Sequence, residues 1–276
     1  MVLFGLVSKS EVIEKKFNVS LEEKLWYTPN YNLRPSDQML FLSSAKPDEF
    51  LNFRYGMTPS GSIHEKIIFE APVEKGSHQL NDPTIKKDII LNKDFRKQIR
   101  EQRGILPVDY LIVQNTEGKP FLLYMKDKQR PFGIACLWDC WKKDILDNLT
   151  YGFSVITVPT FGEFTKVGIT QVPLILYENS YRKWLKTNAS LSGITHLLHP
   201  MDEKQMNAFP IADKILTCTD NDKGLITQTG ELVDLNVKQE AGYLGHSHRK
   251  HKESGGKLTL GERTEISSET TSLIGK

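Results

Sequence analysis

Apolar and polar positions fall along this chain in short runs, and runs of strand character outnumber those with a helical period. The opening "MVLFGLVSKSEVIEKKF" reads as an apolar run followed by a polar, weakly helical segment over 10–17, with a second weak helix over 19–26. A Pro-containing turn and an apolar strand follow in "YNLRPSDQMLFLSS". "FRYGMTP" and "KIIFEAP" each end in Pro, which cannot donate to a ladder, and predict strands or loop–strand junctions. Residues 74–90 read as an irregular loop. The clearest helix is expected over 91–103, where Leu91, Phe95 and Ile99 recur at i, i+4 and i+8 beside a basic stripe of Arg96, Arg100 and Arg103. Strands are then expected in "GILPVDYLIVQ", "PFLLYMK", "FGIACLWDCW", "YGFSVITVP" and "VGITQVPLIL", a helix in "YENSYRKWLKTN", and a closing core segment in "FPIADKIL".

This order has more strands than helices and no βαβ alternation. It predicts an α+β fold: one domain over 1–237 with a mostly antiparallel, curved or barrel-like sheet flanked by helices. From Lys238 the chain is polar, with paired glycines and no apolar period, so 238–276 reads as a disordered C-terminal tail.

Composition narrows the function only a little. The formal charge of +2 does not argue for a strong nucleic-acid binder, although a local basic face could still matter. Three cysteines, Cys136, Cys140 and Cys218, are too few for a disulfide framework and point to a reducing, cytoplasmic setting. No run approaches the roughly 20 apolar residues of a membrane helix. The Asn-x-Ser/Thr sites at Asn18, Asn148 and Asn188 are therefore expected to stay unmodified. Cys136 and Cys140 flank Trp138 at a spacing that zinc sites do not favour, so no metal or cofactor is expected there and both read as packing residues. His246, His248 and His251 lie among basic residues of the tail, where a solvated segment is the expected reading.

Several segments, taken in order, resemble one family over about residues 1–235: the SRAP domain, which processes abasic sites and is related to the SOS response. "YNLRP" (31–35) is similar to its Tyr-Asn-x-x-Pro. "FRYGMTP" (53–59) is similar to its Trp-Gly-x-x-Pro, with Tyr55 for the Trp. "RGILPVDYLIVQ" (103–114) resembles the segment that ends in Glu-Trp, and "GITQVPLIL" (168–176) resembles Ile-His-x-Arg-Met-Pro.

The resemblance implies a chemistry of four parts. An N-terminal Cys supplies amine and thiol to the abasic-site aldehyde, Glu and His move protons, an Asn positions the reacting groups, and Arg and aromatic residues hold single-stranded DNA. Position by position, this chain has Val2 for the Cys, Phe4 for an Arg, Val113 for the Glu, Gln114 for the Trp, Ile169 for the His and Gln171 for an Arg. The catalytic candidates left are Val2, through its N-terminal amine alone, and Asn81 in "LNDPTI". Arg34, Arg54 and Arg103 are the DNA-binding candidates, with Arg103 open to a structural role, and Lys66, Lys86 and Lys87 add charge nearby. Asp109 is expected to stabilise the turn before position 113 rather than to react.

Three readings stay open. One is a degenerate, monomeric binding module for single-stranded or abasic DNA. Another is an active abasic-site-processing or peptidase-like enzyme using non-standard residues. The third is a protein-interaction domain without nucleic acid.

Overall fold

Short apolar strands such as "LFGL" and "FLLYM" hide both faces only when sheets close around them. The computed structural model describes residues 2–21, 27–73, 87–126, 129–142 and 149–235. In chain order its elements are β1 (Leu3–Leu6), α1 (Ser10–Phe17), β2 (Asn30–Leu33), β3 (Gln38–Ser43), β4 (Lys46–Tyr55), β5 (Glu70–Pro72), α2 (Lys87–Leu91), α3 (Gln98–Glu101), β6 (Arg103–Val108) and β7 (Tyr110–Gln114). Then come β8 (Pro120–Met125), β9 (Phe132–Trp141), β10 (Thr150–Pro159), α4 (Gly162–Lys166), β11 (Gln171–Pro173), β12 (Ile175–Leu176), α5 (Tyr181–Leu185), α6 (Leu191–Thr195), β13 (Met206–Pro210) and α7 (Lys214–Thr217).

The strands form two sheets. One runs β13-β8-β7-β1-β2 and is antiparallel throughout. In the other, β4-β3-β6-β9 is closed by β10, which pairs with both β4 and β9, so these strands make a ring. β10 runs parallel to β4 and β5; the other pairings are antiparallel. The α+β, partly barrel-like architecture expected from the sequence is the one observed.

β6 and β7 are one extended stretch that changes sheet at Asp109. The Asp109 N–H donates to the Gly5 carbonyl at 2.7 Å. Its carboxylate accepts the N–H groups of Val7 (2.6 Å) and Ser8 (2.7 Å) and the Ser8 hydroxyl (2.5 Å). Asp109 therefore fixes the exit of β1, not its own turn. Three donors on one carboxylate make its full burial tolerable.

The helix expected over 91–103 is not formed. α2 stops at Leu91, turns follow, α3 covers only Gln98–Glu101, and Arg103 opens a strand. Phe95 and Ile99 are buried as the stripe required, but Leu91 is 68% exposed. Asn92 interrupts the helix: its side-chain oxygen accepts the Asp94 N–H, and its carbonyl accepts those of Phe95 and Arg96. The six-residue ladder of β6 with β9 claims the rest. Gly104 pairs with Cys136 in that ladder and has to be glycine, since a Cβ there would lie 2.1 Å from the Phe41 ring. "VGITQVPLIL" is likewise two strands, β11 and β12. They part at Leu174, which donates to Ile156 and accepts from Ala135.

β1 is buried on both faces. Val2, Phe4 and Leu6 enter the large core with the ring interior; Leu3 joins a smaller core with Tyr110, Ile112, Leu122 and Ile215. The chain divides into two units, Met1–Val237 and Lys238–Lys276, and the expected tail lies outside the described residues. Among the described residues no helix is long and apolar enough to cross a membrane.

Candidate functional site

β1 pairs with β7 so that Leu3 faces Ile112 and Phe4 faces Leu111. Continued by one residue, this register sets Val2 against Val113. The turn after β7 holds the segment before β11: Asn115 Nδ2 donates to the Val167 carbonyl (3.0 Å), and the Thr116 N–H to that of Gly168 (2.9 Å). Ile169 is thereby brought to the end of β7. Val2 is 5% exposed, Val113 3% and Ile169 0%, and all three belong to the large apolar core with Phe4. The fold brings together the positions that the resemblance assigns to nucleophile, carboxylate and imidazole. Their side chains hold no nucleophile and no group that can move a proton.

A polar group beside them is the Tyr55 hydroxyl. Its ring meets Phe4 edge to face at 5.5 Å and stacks on Phe153 at 5.3 Å. The oxygen is buried without a hydrogen-bond partner among the described residues, and the Val2 backbone lies near it outside bonding geometry. Burial first, then the nearby Glu70 charge, pushes its ionisation well above the ordinary tyrosine range. Cys136 is fully buried and its thiol is likewise pushed up, so it is a poor thiolate. Cys140 is half-buried and also raised by burial. Among the described residues no group of His, Cys, Asp and Glu side chains is placed to hold a metal.

The three arginines are engaged by the fold. The Arg103 guanidinium is fully buried and donates to the carbonyls of Ile99 (2.9 Å), Arg100, Trp184 (2.7 Å) and Lys186 (2.5 Å). It pins the end of α3 to the end of α5, with the Trp184 ring 5.9 Å away. Burial lowers its pKa to about 10. Arg34, half-buried, donates to the carbonyls of Ile215 (2.9 Å), Leu216 (2.6 Å) and Cys218 (2.7 Å) and to Asn32 Oδ1 (3.3 Å). It closes the end of α7, where helix carbonyls have no partner of their own. Arg54 pairs with Glu65 at 2.8 Å, and Lys66 with Asp94 at 2.5 Å. Of the remaining candidates, Asn81, Lys86, His246, His248 and His251 lie outside the described residues.

Sequence reasoning also passed over Asp139, a carboxylate 1% exposed inside β9. The signal was present as one charge in the otherwise apolar run "FGIACLWDCW", where the two cysteines drew the reading instead.

Comparison with solved structures places the fold. A protein from Bacteroides thetaiotaomicron superposes with a TM-score of 0.69 at 21% identity, over 82% of this chain and 99% of its own. A protein from Bordetella bronchiseptica gives 0.59 at 18% identity, over 77% and 100%. A phage-related protein from the same organism gives 0.57 at 16%, over 76% and 94%. No curated protein matches the chain. The model of one family, SOS response associated peptidase (SRAP), matches residues 4–218. With that match over most of its length, and with the two-sheet fold described above, this chain belongs to the SRAP family.

Proposed function

We propose that this chain is a catalytically degenerate SRAP protein that acts by binding and forms no thiol-dependent adduct with abasic DNA. One observation carries the reading: Val2, Val113 and Ile169, which the resemblance sets at the three reactive positions, are packed in the large apolar core. Restoring proton transfer there would mean burying a charged group in an apolar core, with the Tyr55 hydroxyl as a hydrogen-bonding group beside it.

Single-stranded DNA, intact or abasic, is the first ligand proposed, on family grounds. Arg34 and Arg103 spend their guanidinium groups on backbone carbonyls, so phosphate contacts would fall to Arg54 and surface lysines. That commitment favours a second reading, a protein-interaction domain. Three unpaired cysteines support a reducing, cytoplasmic setting for either.

The test is to mix the protein with an abasic oligonucleotide and run a denaturing gel, beside native binding of intact single strands at rising salt. No heat-stable band is expected, and any native binding should weaken with salt. A stable band overturns the reading in favour of active processing through other residues. Absence of native binding at low salt selects the protein-interaction reading.

A further inference from the structure

Outside the ring, under the segment that follows β4, lies a group of buried polar atoms that the family site does not use. Across the sheet Asp139 of β9 pairs with Gly152 of β10, and Gly152 with Arg54 of β4. Gly152 must be glycine, because a Cβ there would lie 2.3 Å from the Gly56 carbonyl oxygen. The backbone after β4 thus rests directly on β10 and brings Thr58 and Ser60 toward β9.

The Asp139 carboxylate is the hub of this group. It accepts from the Ser60 N–H (2.8 Å), Gln98 Nε2 (2.7 Å), Gln102 Nε2 (3.2 Å) and the Cys140 N–H (2.9 Å). Four donors occupy the four lone-pair directions of its two oxygens. None is a cationic side chain; Arg54, beyond Gly152, gives one terminal nitrogen to Glu65, and its Nε is buried with no partner among the described residues. Gln98 and Gln102 stand four residues apart, on one face of α3 and its C-cap. Both give their NH2 groups to the same carboxylate, so each must point its carbonyl oxygen elsewhere. Gln98 Oε1, Gln102 Oε1 and Thr58 Oγ1 are all buried and have no hydrogen-bond partner among the described residues. Gln98 and Thr58 are each 3% exposed.

Buried oxygens with no donor among the described residues, beside a carboxylate whose four hydrogen bonds all come from uncharged groups, have the chemistry of a hard-cation site. We propose that Gln98 Oε1, Gln102 Oε1 and Thr58 Oγ1 ligate an alkali cation, sodium or potassium, with the Asp139 charge behind them. A divalent ion fits less well, because it calls for direct carboxylate ligands and Asp139 has no lone pair left. Such an ion ties α3 to the segment after β4.

The test melts the full-length protein at constant ionic strength in potassium, sodium or choline chloride. The melting temperature should be about 3–5 °C higher in at least one alkali salt than in choline. Thr58→Val keeps the shape and removes one oxygen, and should abolish the difference. If it does not fold, Gln102→Met at a half-buried position replaces it. Crystals soaked in a rubidium or thallium salt should show an anomalous peak within ligand distance of the three oxygens. Equal melting in all three salts, or water density at that place without an anomalous signal, overturns the proposal. A salt-specific shift that Thr58→Val retains puts the ion elsewhere and overturns it too.

Discussion

Arg103 shows how a residue chosen for its charge can be held for its geometry. Five N–H donors in a planar fork suit it to bridge two helix ends, and here it serves carbonyls from α3 and from around the end of α5. Truncation would leave those carbonyls buried and unpaired. Arg103→Ala should therefore cost about 3–5 kcal/mol. Arg103→Lys should recover less than half of that, because a single ammonium cannot span both helix ends. Denaturant midpoints of the three proteins check this. A loss below about 1 kcal/mol in the alanine variant would mean that water replaces the guanidinium and that the residue is free for another role. The positions that the resemblance assigns to the reactive groups, Val2, Val113 and Ile169, are set out motif by motif in the sequence, and the fold buries all three in the large apolar core. The engagement of Arg34 and Arg103 was not legible in the sequence, because it also needs carbonyls some 80 to 180 positions away along the chain, those of Trp184 and Lys186 for Arg103 and of the end of α7 for Arg34.

At the scale of elements, strands were the legible part. Their apolar runs are short, alternate or continuous, and bounded by Pro, Gly or Asn, and those signals are local. The segment over 91–103 misled because its period of four is real for Phe95 and Ile99 but stops on both sides of them. A strand register decides the matter, and register is set by non-local pairing with β9. The role of Asp109 was hidden for the same reason, since it lies about a hundred residues from the amides it holds. It joins the two sheets at the point where β1 ends. Asp109→Ala should cost about 2–4 kcal/mol and should loosen one place first. Native-state hydrogen exchange would show the Val7 and Ser8 amides losing protection before those of β9. Uniform loss across both sheets would mean that Asp109 supports global stability without a local role at β1.

For the molecule as a whole, enclosing aromatic hydroxyls in the core ties stability to pH. Tyr55, Tyr110 and Tyr181 are at most 8% exposed, and each is raised above the ordinary tyrosine value, chiefly by burial. Below about pH 10 these groups are protonated in both folded and unfolded chains, so their contribution to stability is fully present. Above it the unfolded chain releases the protons while the folded chain keeps them. The unfolded state then binds fewer protons, and stability falls as pH rises. One pH unit above 10, each tyrosine accounts for a loss of up to about 1.4 kcal/mol. Arg103 works in the opposite sense: burial lowers its folded value to about 10, below the ordinary arginine range, so at alkaline pH the folded chain holds that proton less tightly than the unfolded chain does. One such group does not offset three. The urea midpoint should hold steady to about pH 9 and then drop steeply between 10 and 11. Tyrosinate absorbance of the folded protein should lag behind that of the chain in denaturant. If the absorbance follows the unfolded curve from pH 10 while the fold persists, the three hydroxyls reach solvent, and the closed core drawn around Tyr55 is wrong.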